Sequence, residues 1–331
     1  MSYTTPPSTS LPRHLSSTAL SPQLTHLKTS RPFSVTQSNA IRWLKNLIAT
    51  IDPSTPEPTA KSYISNSIDT FVRERFTVAD RVIASSAGER IRQEDDVILT
   101  YAKSAVVTST LLEAWKRGKR FRVICVDSRP LFEGKALTRT LANHGIPVTY
   151  CLTSGLAHAV QDATSCLLGA HAVLGNGAIY SRVGTSLVGL AARERGVPVV
   201  VCAESVKFTE RVALDSIVGN ELAPEEELLF DTLPETPKPT TADAPTGKNA
   251  TGGGKGSKLK PAAAKADEDK EDEKPAGVAG LMKDWREKDN LQILNIMHDV
   301  LPPEYVDMII TEHGNLPPNC APVVGRMNIG G

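Results

Sequence analysis

The stretch LGAHAVLGNGAIYSRVGTSLVGLAA, residues Leu168–Ala192, predicts a strand, two tight turns and a helix in succession. The apolar run Ala172–Leu174 is typical of a buried strand, and Gly175–Gly177 is typical of a turn. The small residues of Ser181–Ser186 form a second turn that opens a helix. Because a helix N-terminus offers free backbone N–H groups and a favourable dipole, we expect this stretch to hold an anion.

The same kind of pattern continues on both sides of this stretch. From Phe121 onward, short apolar runs rich in Val or Ile alternate with helical segments. The candidate strands are Arg122–Val126, Pro147–Leu152, Ala172–Leu174 and Pro198–Cys202, and the candidate helices between them are Leu137–His144, Ala157–Leu168 and Ser186–Arg195. Apolar strands joined by helical crossovers predict an α/β fold with a parallel sheet covered on both faces. Ligands of such sheets lie beyond the carboxyl ends of the strands.

The rest of the chain divides by composition. Residues 1–33 are rich in Ser, Thr and Pro, which predicts an irregular segment, and residues 34–118 are predicted to form a helical N-terminal domain. The α/β domain is predicted over 119–331. It is interrupted at 231–277 by a segment of Pro, Gly, Lys and acidic residues, which predicts a disordered insertion. Residues 291–300 have the apolar spacing of a further helix.

The overall charge narrows the classes of function. The 331 residues include 37 basic and 37 acidic side chains, and this neutrality argues against direct binding of nucleic acid. No apolar run approaches the roughly 20 residues that span a bilayer, and no secretory signal is visible. The cysteines and histidines lack metal-ligand spacing. We expect a cytoplasmic protein with no metal, no cofactor and no membrane contact.

Four segments fall near predicted strand ends and are expected to line one crevice. Arg129 suits a phosphate, but it is equally suited to a structural pair with Asp127 or Glu133. Arg182 is either an anion ligand or an interface cation, and Asn176 is either a ligand or part of a turn. The candidate anion or sugar-phosphate pocket consists of Ser128, Arg129, Asn176, Gly177, Ser181, Arg182, Gly184 and Thr185.

Several motifs in this order are recognisable. They are ILTYAKSAVVTSTL from residue 98, VDSRPLFEGKALTRTL from 126, CAESVKFTERV from 202, GNELAPEEELL from 219 and LNIMHDVLPPEYVDMIITEHG from 294. The series resembles the regulatory subunits of eukaryotic translation initiation factor 2B, and most of all those of the delta type. It covers about residues 22–230 and 290–325. The resemblance implies a helical N-terminal domain followed by a Rossmann-like parallel-sheet domain.

That family is homologous to ribose-1,5-bisphosphate and methylthioribose-1-phosphate isomerases. Those enzymes work with a Cys in a stretch like LTHCNSG and an Asp in a stretch like GADRI. Here Ala102 stands at the Cys position and His171 at the Asp position, while Arg182 takes the place of a Lys. Since aldose–ketose isomerisation needs an acid/base pair, the resemblance implies a scaffold that has lost its catalytic residues.

The resemblance also implies partners. It implies pairing with a beta subunit, a hexameric core with an alpha dimer, and attachment of the gamma and epsilon subunits. This hetero-oligomer exchanges GDP for GTP on initiation factor 2 and senses phosphorylation of that factor's alpha subunit. Arg73, Arg75 and Arg81 are a candidate partner surface, although such a charged run is more often a solvated helix face. The alternatives are an active sugar-phosphate isomerase and a sensor of sugar phosphates or nucleotides.

Overall fold

The structure is a computed structural model that describes residues 3–6, 9–213, 215–229 and 285–329. β-Strands form its central layer. In these ranges the strands are β1 (Asp96–Tyr101), β2 (Phe121–Asp127), β3 (Val148–Leu152), β4 (Ser165–Gly169), β5 (Ala172–Val173), β6 (Ile179–Arg182), β7 (Val199–Cys202), β8 (His298–Leu301), β9 (Met308–Thr311) and β10 (Gly314–Leu316). Seven form one sheet in the order β10-β9-β7-β4-β1-β2-β3, and β5, β6 and β8 form a second sheet.

The large sheet is parallel except at one edge. Strands β3, β2, β1, β4, β7 and β9 run parallel, and β10 pairs antiparallel with β9. Alternate residues of β1 enter different cores: Val97 and Leu99 pack into one apolar cluster and Ile98 into another. Because successive strand side chains point to opposite faces, both faces are covered. The predicted α/β fold with a parallel sheet is confirmed.

Helices flank the sheet and precede it. They are α1 (Leu11–His14), α2 (Ser21–Ser30), α3 (Val35–Thr50), α4 (Glu57–Val72), α5 (Ala79–Arg90), α6 (Ala105–Lys116), α7 (Glu133–Asn143), α8 (Leu156–Ala159), α9 (Thr185–Glu194), α10 (Glu226–Leu229) and α11 (Ala321–Ile329). π-Helical turns over Leu15–Leu20 and Arg73–Val78 connect α1 to α2 and α4 to α5. Ser34 begins α3 by accepting from Gln37 N at 3.2 Å, which satisfies one of the free N–H groups there.

The N-terminal segment corrects one prediction. Residues 11–30 are helical, whereas 1–33 was expected to be irregular. Leu11 and Leu15 are buried in a cluster with Ile48 and Ile64. A pair of leucines one turn apart is enough to anchor a helix once a partner surface exists, and composition alone does not reveal that surface.

Three further elements differ from the predictions. The expected helix over Ala157–Leu168 is only the short α8, and its second half is β4, paired between β1 and β7. The predicted strand Ala172–Leu174 lies in the small antiparallel sheet as β5, not in the parallel one. Residues 291–300 do not form the predicted helix, because residues 298–301 extend as β8 beside β6. Short apolar runs are ambiguous until strand pairing decides their state.

The sheet begins earlier than the predicted domain boundary. β1 is an interior strand between β4 and β2, so β1 and α6 belong to the α/β part and not to a helical domain over 34–118. Residues 1–223 and 296–331 cluster as one unit, and residues 224–295 cluster as another. In the second unit, Asn295 Nδ2 donates to Pro224 O at 2.8 Å. The predicted insertion at 231–277 lies outside the described residues, and the remaining boundaries stay predictions.

Candidate functional site

A cavity of about 220 Å³ lies where β1 and β4 end and α9 begins. Parallel strands deliver their carboxyl ends to the same edge of a sheet, which is why residues distant in sequence meet here. Among the residues predicted for the site, the cavity brings together Ala102, His171, Ser181, Arg182 and Thr185. The structure therefore places both degenerate isomerase positions in one site, beside the candidate anion ligand Arg182.

The two degenerate positions offer no acid/base pair. Ala102 is buried with φ +51°, and its methyl group cannot transfer a proton. The ring of His171 packs 4.6 Å from the ring of His298, which stacks on Tyr180 at 4.7 Å. Burial lowers the pKa of His171, and it lowers the pKa of His298 to about 4. Both imidazoles are thus neutral near pH 7, and neither faces a thiol partner.

Arg182 is bound by a carboxylate of the same chain. Its Nε donates to Glu133 Oε2 at 2.9 Å and its Nη2 donates to Glu133 Oε1 at 2.9 Å. Glu133 is the first residue of α7, and 31% of each side chain is exposed. The two parallel bonds are the fork geometry that a guanidinium otherwise offers to a phosphate. Neither alternative drawn from the sequence for Arg182 included this internal pair.

The N-terminus of α9 is also occupied, which corrects the expectation of an open anion site there. Asp299 Oδ2 accepts from Gly184 N at 2.7 Å, from Ser186 N at 3.0 Å and from Ser186 Oγ at 2.5 Å. Only 5% of Asp299 is exposed, and this burial raises its pKa while the three hydrogen bonds oppose the rise. The chain's own carboxylate fills the position that the sequence assigned to a bound anion.

Ser128 and Gly184 both contact Tyr101. The Tyr101 hydroxyl lies 2.6 Å from Ser128 Oγ and also donates to Val183 O. Burial raises the pKa of Tyr101 to about 12. Gly184 has φ +102°, and a Cβ there would lie 2.3 Å from the Tyr101 hydroxyl oxygen. Among the described residues these two lie behind the cavity wall and do not line it.

The Asn176–Gly177 pair forms the turn between β5 and β6. Asn176 Nδ2 donates to Ala213 O at 3.1 Å, and Gly177 has φ +81°. A Cβ on Gly177 would lie 2.5 Å from Pro318 O, so the turn packs against backbone. Of the two sequence alternatives, the turn describes these residues, and neither lines the cavity. Arg129 also lies outside the lining.

The three arginines of the candidate partner surface do not share one environment. Arg73 is exposed, with its Nη2 3.6 Å from Glu74 Oε1, and Arg81 is exposed as well. Arg75 is half-buried and donates from Nη1 to Ser205 Oγ at 3.5 Å, across to the α/β part of the unit. A partner surface therefore stays a prediction for Arg73 and Arg81, and Arg75 has a structural contact.

Neither a group of metal-ligating side chains nor a membrane-spanning helix occurs in the part of the chain that the structure describes. No group of three or more His, Cys, Asp or Glu side chains there is arranged to hold a metal ion. No helix in those residues is long and apolar enough to cross a membrane.

A half-buried carboxyl group of the helical segment, that of Asp80, interacts with Glu204 just after β7. Burial raises the pKa of Asp80 on α5 to about 6, with a hydrogen bond and charge repulsion from Glu204 adding to the rise. Glu312 adds repulsion, and Lys207, whose Nζ lies 2.6 Å from Glu204 Oε2, opposes it. Because the folded chain holds this proton above the ordinary carboxyl pKa, we expect stability to increase as pH falls from 7.5 to 5.5.

The test of that expectation is the melting temperature at both pH values. Asp80→Asn, which is permanently neutral, should raise the melting temperature at pH 7.5 and reduce its rise on acidification. Exposed Asp69→Asn is the control and should leave the pH difference unchanged. Equal pH profiles for Asp80→Asn and the unsubstituted chain would contradict the assignment of this proton to Asp80.

Sequence reasoning missed the residues that fill the site. Glu133 was considered only as a partner of Arg129, and His298 was set aside for lack of metal-ligand spacing. Asp299 was not considered at all, because it lies 113 positions from Ser186 and no local pattern marks it. The Thr185 hydroxyl, which was a candidate ligand, donates to Arg182 O at 2.6 Å and so closes the turn before α9.

Comparison with known proteins identifies the family. A sequence model described as the initiation factor 2 subunit family matches residues 2–318. The chain is 38% identical over 322 residues to translation initiation factor eIF2B subunit delta of Schizosaccharomyces pombe, covering 97% of this chain. It is 28% identical over 303 residues to ribose 1,5-bisphosphate isomerase of Thermococcus kodakarensis, covering 91% of this chain and 78% of that enzyme.

Solved structures agree with the sequence comparison. A chain in the crystal structure of the tetrameric eIF2B-beta2-delta2 complex from C. thermophilum matches with a TM-score of 0.72 and 30% identity, over 94% of this chain and 80% of that chain. The present chain spans only 60% of the length of the S. pombe delta subunit. The match of the family model over nearly the whole sequence, together with these relatives, shows that the chain belongs to the initiation factor 2 subunit family.

Proposed function

We propose that this chain is a non-catalytic regulatory subunit, of the delta type, of the guanine nucleotide exchange factor for translation initiation factor 2. The observation that carries the proposal is the 38% identity to an eIF2B delta subunit over 97% of this chain. The cavity supports it, because Ala102 and His171 stand where the related isomerases need a thiol and a carboxyl group.

The proposal includes a set of partners. A beta-type subunit pairs with the α/β part, and the alpha, gamma and epsilon subunits complete a cytoplasmic assembly. Initiation factor 2, including its phosphorylated alpha subunit, contacts the helical segment, where Arg73 and Arg81 are exposed. Three exposed aliphatic side chains close together in sequence support assembly: Ile217 is 83% exposed, Val218 75% and Leu222 66%. Such patches are typical of surfaces that are covered in a complex.

Co-expression tests this assignment. We expect the chain alone to aggregate and the chain co-expressed with its beta-type subunit to yield a soluble complex of the two, because burial of the apolar patch removes the cause of aggregation. Size-exclusion chromatography with light scattering measures the outcome. A well-behaved monomer with no affinity for the beta-type subunit would reject the proposal.

The competing function is sugar-phosphate isomerisation or sensing, which the similarity to an archaeal ribose 1,5-bisphosphate isomerase favours. Turnover of ribose 1,5-bisphosphate or methylthioribose 1-phosphate that is abolished by His171→Ala would establish an enzyme. Calorimetric binding of either compound without turnover would favour a sensor. The internal pairing of Arg182 and the occupied N-terminus of α9 support neither activity.

A further inference from the structure

The cavity at the end of β1 and β4 is lined by three basic residues, two of which are paired with carboxylates. Of its lining residues, Lys103, Arg182 and Lys207 are cations. Lys207 Nζ lies 2.6 Å from Glu204 Oε2, and Arg182 is held at both ends of its fork by Glu133. Arg182 also lines a second cavity of about 360 Å³ on its other side, so it stands between the two spaces.

The Glu133 carboxylate occupies the position of a ligand. A guanidinium recognises an oxyanion through two parallel N–H···O bonds to two oxygens on one edge of the anion. Glu133 presents such an edge, and both donor–acceptor distances are 2.9 Å. A tetrahedral oxyanion such as phosphate requires the same two donors. The carboxylate and a bound oxyanion therefore exclude each other.

The backbone on both sides of Glu133 has an unusual conformation or a close contact. The residue before it, Phe132, has φ +48° and ψ +40°, a conformation that aromatic residues rarely adopt. The residue after it is Gly134, where a Cβ would lie 2.8 Å from Asp127 Cγ. The turn between β2 and α7 is thus constrained on both sides of Glu133. Backbone strain that is retained in a folded protein is often found at functional positions.

The same cavity is lined by a further side chain with unused hydrogen-bonding capacity, that of His298. His298 is 1% exposed, and neither of its ring nitrogens has a hydrogen-bond partner among the described residues. A buried ring with both nitrogens unsatisfied is unfavourable and is relieved by a small polar ligand. The space of about 220 Å³ suits a small ion better than a drug-sized molecule.

We propose that Glu133 is an internal ligand of Arg182 that closes this cavity to tetrahedral oxyanions, and that its removal creates a phosphate-binding site. The inference concerns the cavity alone and does not depend on the regulatory function proposed above. It assigns Glu133 as the residue that determines which anions the cavity admits.

Isothermal calorimetry with inorganic phosphate tests the proposal on the full chain, in the complex with its beta-type subunit if the chain alone is insoluble. Glu133→Gln should lower the Kd for phosphate at least about tenfold relative to the unsubstituted chain, since it frees a charge-assisted pair of donors. Its melting temperature should rise with phosphate concentration. Glu133→Ala should show the same gain, and sulfate should replace phosphate because the site reads the oxyanion shape.

Two controls make the result specific. Glu113→Gln removes a carboxylate of α6 that pairs with Arg117 at 3.1 Å and does not line this cavity, and it should gain no binding. Glu133→Gln combined with Arg182→Gln should lose the gain. The proposal is overturned if the unsubstituted chain already binds phosphate as tightly as Glu133→Gln, or if neither Glu133 variant gains affinity while both fold.

Discussion

Asp299→Ala is expected to lower the free energy of unfolding by about 3 kcal/mol, because it leaves buried donors at a helix N-terminus without their acceptor. The carboxylate accepts from Gly184 N, Ser186 N and Ser186 Oγ, and only 5% of Asp299 is exposed. The melting temperature should fall by on the order of 10 °C in a domain of this size. Chemical denaturation followed by circular dichroism measures the change.

Two further variants serve as comparisons for Asp299→Ala. Asp299→Asn keeps an acceptor oxygen and removes only the charge, so it should cost about half as much. Asp162→Ala removes a carboxylate that is 61% exposed and pairs with Arg122, and it should cost less than about 1 kcal/mol. If Asp299→Ala is no more destabilising than Asp162→Ala, Asp299 does not support α9 in the way the geometry indicates.

Gly184→Ala is expected to be at least as damaging. At φ +102° any side chain is strained, and the added Cβ would lie 2.3 Å from the Tyr101 hydroxyl oxygen and 2.7 Å from Cζ. Tyr101 cannot yield easily, since it is buried and bonded to Ser128 and Val183. Backbone strain and overpacking together should cost about 3 kcal/mol or more.

Gly196→Ala separates the two causes. Gly196 also has positive φ, +69°, but a Cβ there would meet nothing within 4 Å. It should therefore cost only the backbone strain, about 1 kcal/mol. The difference between the two variants in urea denaturation measures the contact with Tyr101. Equal costs at the two glycines would show that Tyr101 moves aside.

The hydrogen bonds around the cavity also indicate how the site is built. Tyr101 and Glu133 line the cavity, and Asp299 accepts hydrogen bonds at the start of α9, so that β1, β6, β8, α7 and α9 are connected around this site. The related isomerases act on a sugar phosphate, and this chain has an alanine and a neutral imidazole at their catalytic positions. Arg182 and Lys207 at the cavity are paired with carboxylates of the same chain. That pairing is consistent with the non-catalytic role proposed above.

Local patterns in the sequence determined the class of fold. The Val- and Ile-rich runs that became β2, β3 and β7, and the amphipathic run that became α9, were readable because each depends on neighbours in the chain. The identities at Ala102 and His171 also indicated, by resemblance, a site without the catalytic pair of the isomerases. Both residues line one cavity, which is consistent with that interpretation.

Tertiary structure alone decided which groups occupy the site. β4 was mistaken for part of a helix, because only pairing with β1 and β7 selects the strand. Glu133 lies 49 positions from Arg182, and Asp299 lies 113 positions from Ser186. Such pairs form when the sheet brings strand ends together, and their strength comes from burial that no local pattern encodes. The sequence by itself thus determined the class of fold and, by resemblance, which residues stand at the catalytic positions of the isomerases. Only the fold decided that the chain's own carboxylates, Glu133 and Asp299, pair with Arg182 and with the start of α9.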